Sequence, residues 1–180
     1  MARIQPVQQS TADADTAELL QNVGKKMGKV INILGTMAQS SAVLKAFLGF
    51  SEALSAGTLS VPLRERIALA IGEATGCNYC IAAHTVLAQK AGLADKEILD
   101  ARRGTASDEK VAVALDLALK IVKTQGYVSD EDIERVRSLG YSDGDICEIV
   151  ATVALNLFTN YFNHVVETEI DFPAVPALSA

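Results

Sequence analysis

The sequence predicts an all-α fold, a single-domain bundle of about seven to nine helices. Three observations lead there. Ala and Leu are abundant, Trp is absent and β-branched runs are short, which favours helix over sheet. Apolar residues recur at helical spacing in one segment after another. Gly, Ser and Asp punctuate those segments where helix ends belong. With 180 residues, 49% apolar and 21% charged, the chain can bury one real core, and no low-complexity linker divides it.

The elements follow in order. Residues 1–12 are polar, contain Pro6 and read as a flexible N-terminal segment; 13–173 reads as the domain and 174–180 as an irregular tail. Asp13 and Asp15 give the acidic start that suits a helix N-terminus. Leu19, Leu20, Val23 and Met27 make one apolar face, and Gly24, Gly28 and Gly35 suggest two short helices within 14–38. Ser40 and Ser41 cap a helix of about 41–56, with Val43, Phe47, Phe50 and Leu54 at helical spacing and Gly57 as its stop. Ser60 and Pro62 open a helix of roughly 62–75 that ends at Thr75-Gly76. A new helix starts near Asn78 and runs to about Ala91. A short helix of 95–103 is closed by Gly104, and an amphipathic one of about 108–125 carries Val111, Leu115, Ala118 and Val122. Ser129 with Asp132 caps 130–139, and Ser142 caps a helix of about 143–166. That last helix is apolar on nearly every face over 149–158, which places it in a core or an interface. Segments 93–104 and 128–140 echo each other as short capped helices between longer ones.

Charge narrows the partners. The net charge is −6, and no Lys/Arg stripe interleaves with aromatics, so nucleic-acid binding is not expected. The N-terminus shows no apolar signal region, and the densest apolar run, 149–158, is broken by Thr152 and Asn156 and falls far short of a membrane span. The expectation is a cytoplasmic protein without membrane contact. In that compartment a C-x-x-C pair is catalytic or metal-binding more often than a structural disulfide.

Such a pair stands in the segment 73–92, EATGCNYCIAAHTVLAQKAG, which holds Cys77, Cys80 and His84, one of two histidines. On a helix Cys77 and His84 share a face, and Cys80 lies one turn before His84. Cys77 follows a helix-ending Gly and sits near a positive helix N-terminus, which favours its thiolate. His84 can take the proton of Cys80 or pair with its thiolate. The two arguments name different nucleophiles. Either way the spacing lets one sulfur attack the other after oxidation and close a disulfide. A structural zinc site needs two further ligands, and only Cys147, His84 and His164 remain as typical donors, so no metal or other cofactor is expected. Cys147, in an apolar helix, reads as a buried small hydrophobe. Tyr79 reads equally as a donor to the site or as a packing residue. Glu65 and Glu73 are both candidate carboxylates, and spacing does not choose between them. Asn156, Asn160 and Asn163 share one side of the last helix, where they either line the thiol pocket or an oligomer contact, or satisfy buried neighbours; His164 is a weaker candidate.

The pattern E-x11-C-x-Y-C-x3-H, formed by Glu65, Cys77, Tyr79, Cys80 and His84, resembles the alkyl hydroperoxidase D-like branch of the carboxymuconolactone decarboxylase-like superfamily. The stretches LSVPLRERIALAIGEATGCNYCIAAHTVLAQKAGL, LGYSDGDICEIV and LNLFTNYFNHVVETEIDFP share the resemblance, which covers most of 25–173. It implies packed helical hairpins assembled as a homo-oligomer, a trimer or hexamer, and thiol-dependent reduction of hydroperoxides. By that resemblance Cys80 meets the peroxide, Cys77 resolves it as a disulfide, and a thiol or dihydrolipoyl-type partner re-reduces the pair. His84 and Glu65 form the proton relay, which prefers Glu65 to Glu73. The best-known members carry His where this chain has Tyr79, and a phenol with a pKa near ~10 is a poor proton shuttle at neutral pH. Two other functions stand beside this one: lactone decarboxylation of the carboxymuconolactone type, and a non-catalytic redox-sensing or scaffold role.

Overall fold

A computed structural model of the chain describes residues 2–178. Met1, Ser179 and Ala180, at the ends of the expected lead and tail, lie outside the described residues, as does the Met27 side chain assigned above to the first apolar face. A short 3-10 turn (Gln9–Thr11) precedes α1 (Ala14–Met27), α2 (Asn32–Met37), α3 (Ser41–Ser55), α4 (Val61–Thr75) and α5 (Asn78–Lys90). Then follow α6 (Asp95–Arg102), α7 (Glu109–Thr124), α8 (Asp130–Ser138) and α9 (Asp143–Val166). The fold is all-α: every regular element among the described residues is a helix.

The helices begin where short polar side chains can hold free N–H groups. Ser40 accepts from the Val43 N–H, Ser60 from Leu63 and Asp108 from Val111. Ser129 and Ser142 form reciprocal capping boxes with Asp132 and Asp145. The region 14–38 divides into two helices, with Gly28 at φ 82° just past the first.

The centre of the bundle is α4, which packs against α5, α6, α7 and α9. Its residues 67–72 are all buried, which suits a helix surrounded by others. One core joins Ile67 and Ile71 of α4 to Leu115 of α7 and Ile149 and Val153 of α9. A second joins Leu20, Leu34, Met37 and Leu44 to Cys77, Tyr79 and Cys80 at the start of α5. The thiol pair is therefore part of a core. The N-terminal residues lie along the body, where the Arg3 N–H donates to the Val166 carbonyl at 2.8 Å and the Val7 N–H to that of Gly35 at 2.9 Å.

α9 is the one helix among the described residues long and apolar enough to match a membrane span, but 44% of its best window is buried inside the protein. Its buried side carries Thr152, Asn156, Thr159, Asn160 and Asn163, while Val150, Phe158, Tyr161 and Val165 face out. Its first turns grip the loop before α4. The N–H groups of Thr58 and Leu59 donate to the Glu148 carboxylate at 2.9 and 3.0 Å. Those backbone bonds hold the Glu148 carboxyl below its ordinary pKa of 4.5.

Because the folded pKa is depressed, the Glu148 contribution is present above pH 4.5 and is lost as pH falls through the folded value. Glu148→Ala is expected to cost about 1 kcal/mol at neutral pH, discounted for solvent screening, and so to lower Tm by roughly 2–4 °C. Thermal melts of both proteins across pH should show the gap narrowing in acid.

Candidate active site

The site is built at the corner between α4 and α5. Gly76 caps α4 in the left-handed region at φ 72°, and the Cys77 N–H returns to the Gly72 carbonyl at 2.8 Å. The chain thus turns within two residues, and Cys77 becomes the N-cap of α5, its Sγ accepting the Cys80 N–H at 3.3 Å. Cys77 and Cys80 form a disulfide with a Cα–Cα separation of 5.3 Å, within the usual span. Both are almost fully buried.

His84 stands one turn beyond Cys80 on the same side of α5. Its Nδ1 lies 2.7 Å from Oε2 of Glu65, which α4 presents across the interface. The two side chains are 22% and 15% exposed, so the contact is shielded yet reachable. With Glu65 ionised, Nδ1 is the donor and Nε2 is the ring atom left to exchange a proton. Glu73 does something else. It accepts from Nε of Arg102 at 2.8 Å and compensates a guanidinium that is only 3% exposed.

Tyr79 points its chemistry away from proton transfer. Its hydroxyl donates to Asp171 Oδ1 at 2.8 Å and accepts the Ile33 N–H at 3.3 Å, at the start of α2. Phe172 meets the ring edge-on, with centroids 5.6 Å apart. Burial, more than the Asp171 charge, pushes the phenol well above its ordinary pKa. Lys29 holds the same Asp171 at 3.3 Å, and the Asn32 side-chain amide donates to the Glu169 carbonyl at 2.9 Å. Tyr79 therefore clasps the segment after α9 over the thiol end of α5. Of the two readings open for it, these contacts favour the packing one.

From the other side α9 supplies Asn163, whose Nδ2 lies 3.3 Å from Cys80 Sγ and 3.8 Å from Cys77 Sγ. Asn160 donates to Thr75 Oγ1 at 2.8 Å, and Asn156 to the Thr152 carbonyl at 2.9 Å. The shared face of these amides is visible in the sequence as i, i+4, i+7 spacing; which of them reaches sulfur is not. Asp171 carries no sequence signal at all, since nothing local links it to Tyr79, 92 residues earlier. His164 is exposed in the last turn of α9. Cys147 requires a correction: it is exposed, not buried. α9 turns Ile149, Thr152 and Val153 inward, which puts Cys147 on the outer stripe with Val150 and Ala154. Among the described residues, no three His, Cys, Asp or Glu side chains converge as metal ligands would.

A buried C-x-x-C disulfide at a helix N-terminus, with a His–Glu pair beside it in an all-α bundle, defines a helical thiol protein. Residues 41–124, from the first residue of α3 to the last of α7, match the model of the carboxymuconolactone decarboxylase family. Among solved structures, the chain is similar to the alkylhydroperoxidase AhpD core of an uncharacterized peroxidase-related protein from Ralstonia eutropha JMP134. The identity is 24%, covering 94% of this chain and 92% of that one, with a TM-score of 0.86. An uncharacterized peroxidase-related protein from Silicibacter sp. TM1040 gives 24% identity, coverage of 88% and 86%, and a TM-score of 0.80. The debrominase Bmp8 gives 22%, 93% and 91%, and 0.79. No curated protein matches. At these identities the structures establish the fold. The family match spans residues 41–124, less than half of the chain, and the structures add the all-α fold around it.

Tyr79→Phe removes the bond to Asp171 but no donor to sulfur. It is expected to cost about 1.5 kcal/mol, roughly 3–6 °C in Tm. The alkylation rate of the reduced cysteines should stay within about twofold of the parent's, since their thiolate fractions are untouched.

Proposed function

We propose that the protein is a cytoplasmic thiol-dependent peroxidase that reduces hydroperoxides through Cys80 and Cys77. The observation that carries this reading is the buried Cys77–Cys80 pair one turn from a His84 held by Glu65. Cys80, as thiolate, attacks the distal oxygen of ROOH; the O–O bond breaks, the sulfur becomes a sulfenic acid, and the alkoxide leaves with a proton from His84. Cys77 then attacks the Cys80 sulfur, the S–S bond forms, and hydroxide leaves with a proton as water. A thiol or dihydrolipoyl-type dithiol returns two electrons and two protons. Glu65 keeps His84 oriented. Tyr79 positions the segment after α9 and carries no proton. The likeness in fold to the debrominase Bmp8, one form of which was solved with 2,3,4-tribromopyrrole, makes that compound a second substrate to assay.

We further propose that the outward face of α9 joins copies of the chain into a trimer or hexamer. Val150, Phe158, Tyr161 and Val165 are 47%, 41%, 56% and 65% exposed along one stripe, and Phe47 of α3 extends it, its ring 6.3 Å from that of Phe158. A stripe of that size is what a helix buries against a partner.

Two expected outcomes follow. With a dithiol reductant, Cys80→Ser should lose at least ~100-fold in peroxide turnover; with peroxide alone and no added thiol, Cys77→Ser should make one sulfenic acid per chain and stop. Turnover by Cys80→Ser at the parent's rate would exclude the scheme; activity on a lactone surviving both replacements would point to decarboxylation, and a disulfide that forms but never cycles to a redox sensor. Tyr161→Glu should shift the protein toward monomer in sedimentation velocity, because it places charge in the interface.

A further inference from the structure

We propose that Asn163 is a further catalytic residue of the thiol site, its side-chain amide selecting Cys80 over Cys77 as the reacting sulfur. The inference rests on the thiol chemistry proposed above and extends it to α9.

The two sulfurs compete for the role. Cys77 Sγ already receives the Cys80 backbone N–H at 3.3 Å and lies at the positive end of α5. On those grounds alone the thiolate would settle on Cys77. Both cysteines are buried in one cluster with Leu34, Leu44 and Ala83, Cys77 1% and Cys80 3% exposed, so burial disfavours a charge on either sulfur and does not choose between them. Among the described residues, the donor that reaches Cys80 Sγ is the Asn163 amide, at 3.3 Å, half an ångström closer than its 3.8 Å approach to Cys77. A fixed N–H aimed at a buried thiolate offsets part of the desolvation. Asn163 is the side chain whose donor meets the Cys80 sulfur directly.

Asn163 is held for this task. Its own carbonyl accepts the N–H groups of Glu167 and Thr168, which close α9. One turn earlier the Asn160 amide donates to Thr75 Oγ1 at the end of α4, locking α9 in register against the corner that carries the cysteines. The Asn163 amide oxygen is buried without a donor among the described residues, so the side-chain hydrogen bonds of this group run to the sulfurs. A buried amide satisfied at one end costs stability, and an apolar side chain would fit the same space at less cost. Residues that keep such a cost belong to function more readily than to folding.

The test uses the full chain in its reduced form and does not depend on turnover. Asn163→Leu keeps the volume and removes the donor; Asn163→Ala is the second variant should the first fold poorly, with circular dichroism checking both. Iodoacetamide alkylation across pH, resolved by peptide mass spectrometry, reads each cysteine separately. The expected result is a Cys80 profile displaced upward by about one pH unit, about tenfold less thiolate at neutral pH, with the Cys77 profile moved far less. The dithiol–disulfide equilibrium with dithiothreitol should shift toward disulfide by about the same factor, because the reduced form loses its stabilising donor. A folded variant with an unchanged Cys80 profile, or one in which Cys77 moves instead, would overturn the assignment. If the parent protein reduces no peroxide and the variants still show both shifts, the function proposed above fails and the role of Asn163 stands.

Discussion

Everything at the thiol end of the protein depends on the left-handed turn at Gly76. A side chain at φ 72° would meet its own backbone, at a cost of roughly 1–2 kcal/mol, so glycine is the residue that lets α4 stop and α5 start two residues later. That abrupt corner has three effects. It makes Cys77 a helix N-cap. It brings Cys80 round to meet Cys77. It also lays α5 against α4 closely enough for a glutamate more than two turns from the end of one helix to hold a histidine on the other. A longer connection would preserve the helices and lose the constellation.

α9 answers that corner with an unusual distribution of polarity. Its amides face inward and its aromatics face outward. In a monomer this arrangement would be costly on both sides, since buried amides need partners and exposed aromatics gain from burial. The N–H groups of two inward amides find acceptors at the corner, where Asn160 holds Thr75 and Asn163 reaches the sulfurs, while their oxygens stay buried without a donor among the described residues. The outward aromatics are the surface the proposed assembly would cover. One helix thus connects the cysteine pair to the face through which copies of the chain would meet.

The two glutamates of α4 illustrate how much a neighbour decides. Glu65 and Glu73 stand eight residues apart on one helix, in similar apolar company. Across from Glu65 lies His84, 2.7 Å away, the pair proposed here as the proton relay. Across from Glu73 lies the buried guanidinium of Arg102, and the pair is a fixed counter-charge that also ties down the C-terminal segment, since Arg102 donates to the Pro176 carbonyl at 3.0 Å. Their own helix holds nothing that distinguishes them.

Local chemistry is legible in the order of the residues. Caps at Ser60, Ser129 and Ser142, stops at Gly28 and Gly76, and helical spacing of apolar residues determine where the helices lie, because those signals act over three or four residues. The same short range makes Cys77, Cys80 and His84 readable as one face. Which way a whole helix turns is another matter. Cys147 sits in apolar sequence yet faces out, because the packing of α9 on α4 and α7, and not its own composition, chooses the buried stripe. Asn163 beneath Cys80, and Asp171 on Tyr79, are contacts 83 and 92 residues apart in the chain. No pattern in sequence specifies a pairing at that distance; it exists only once the helices have packed. The sequence by itself determined the helices, their ends and the thiol pair. Packing between helices chose which carboxylate meets His84 and which amide meets Cys80.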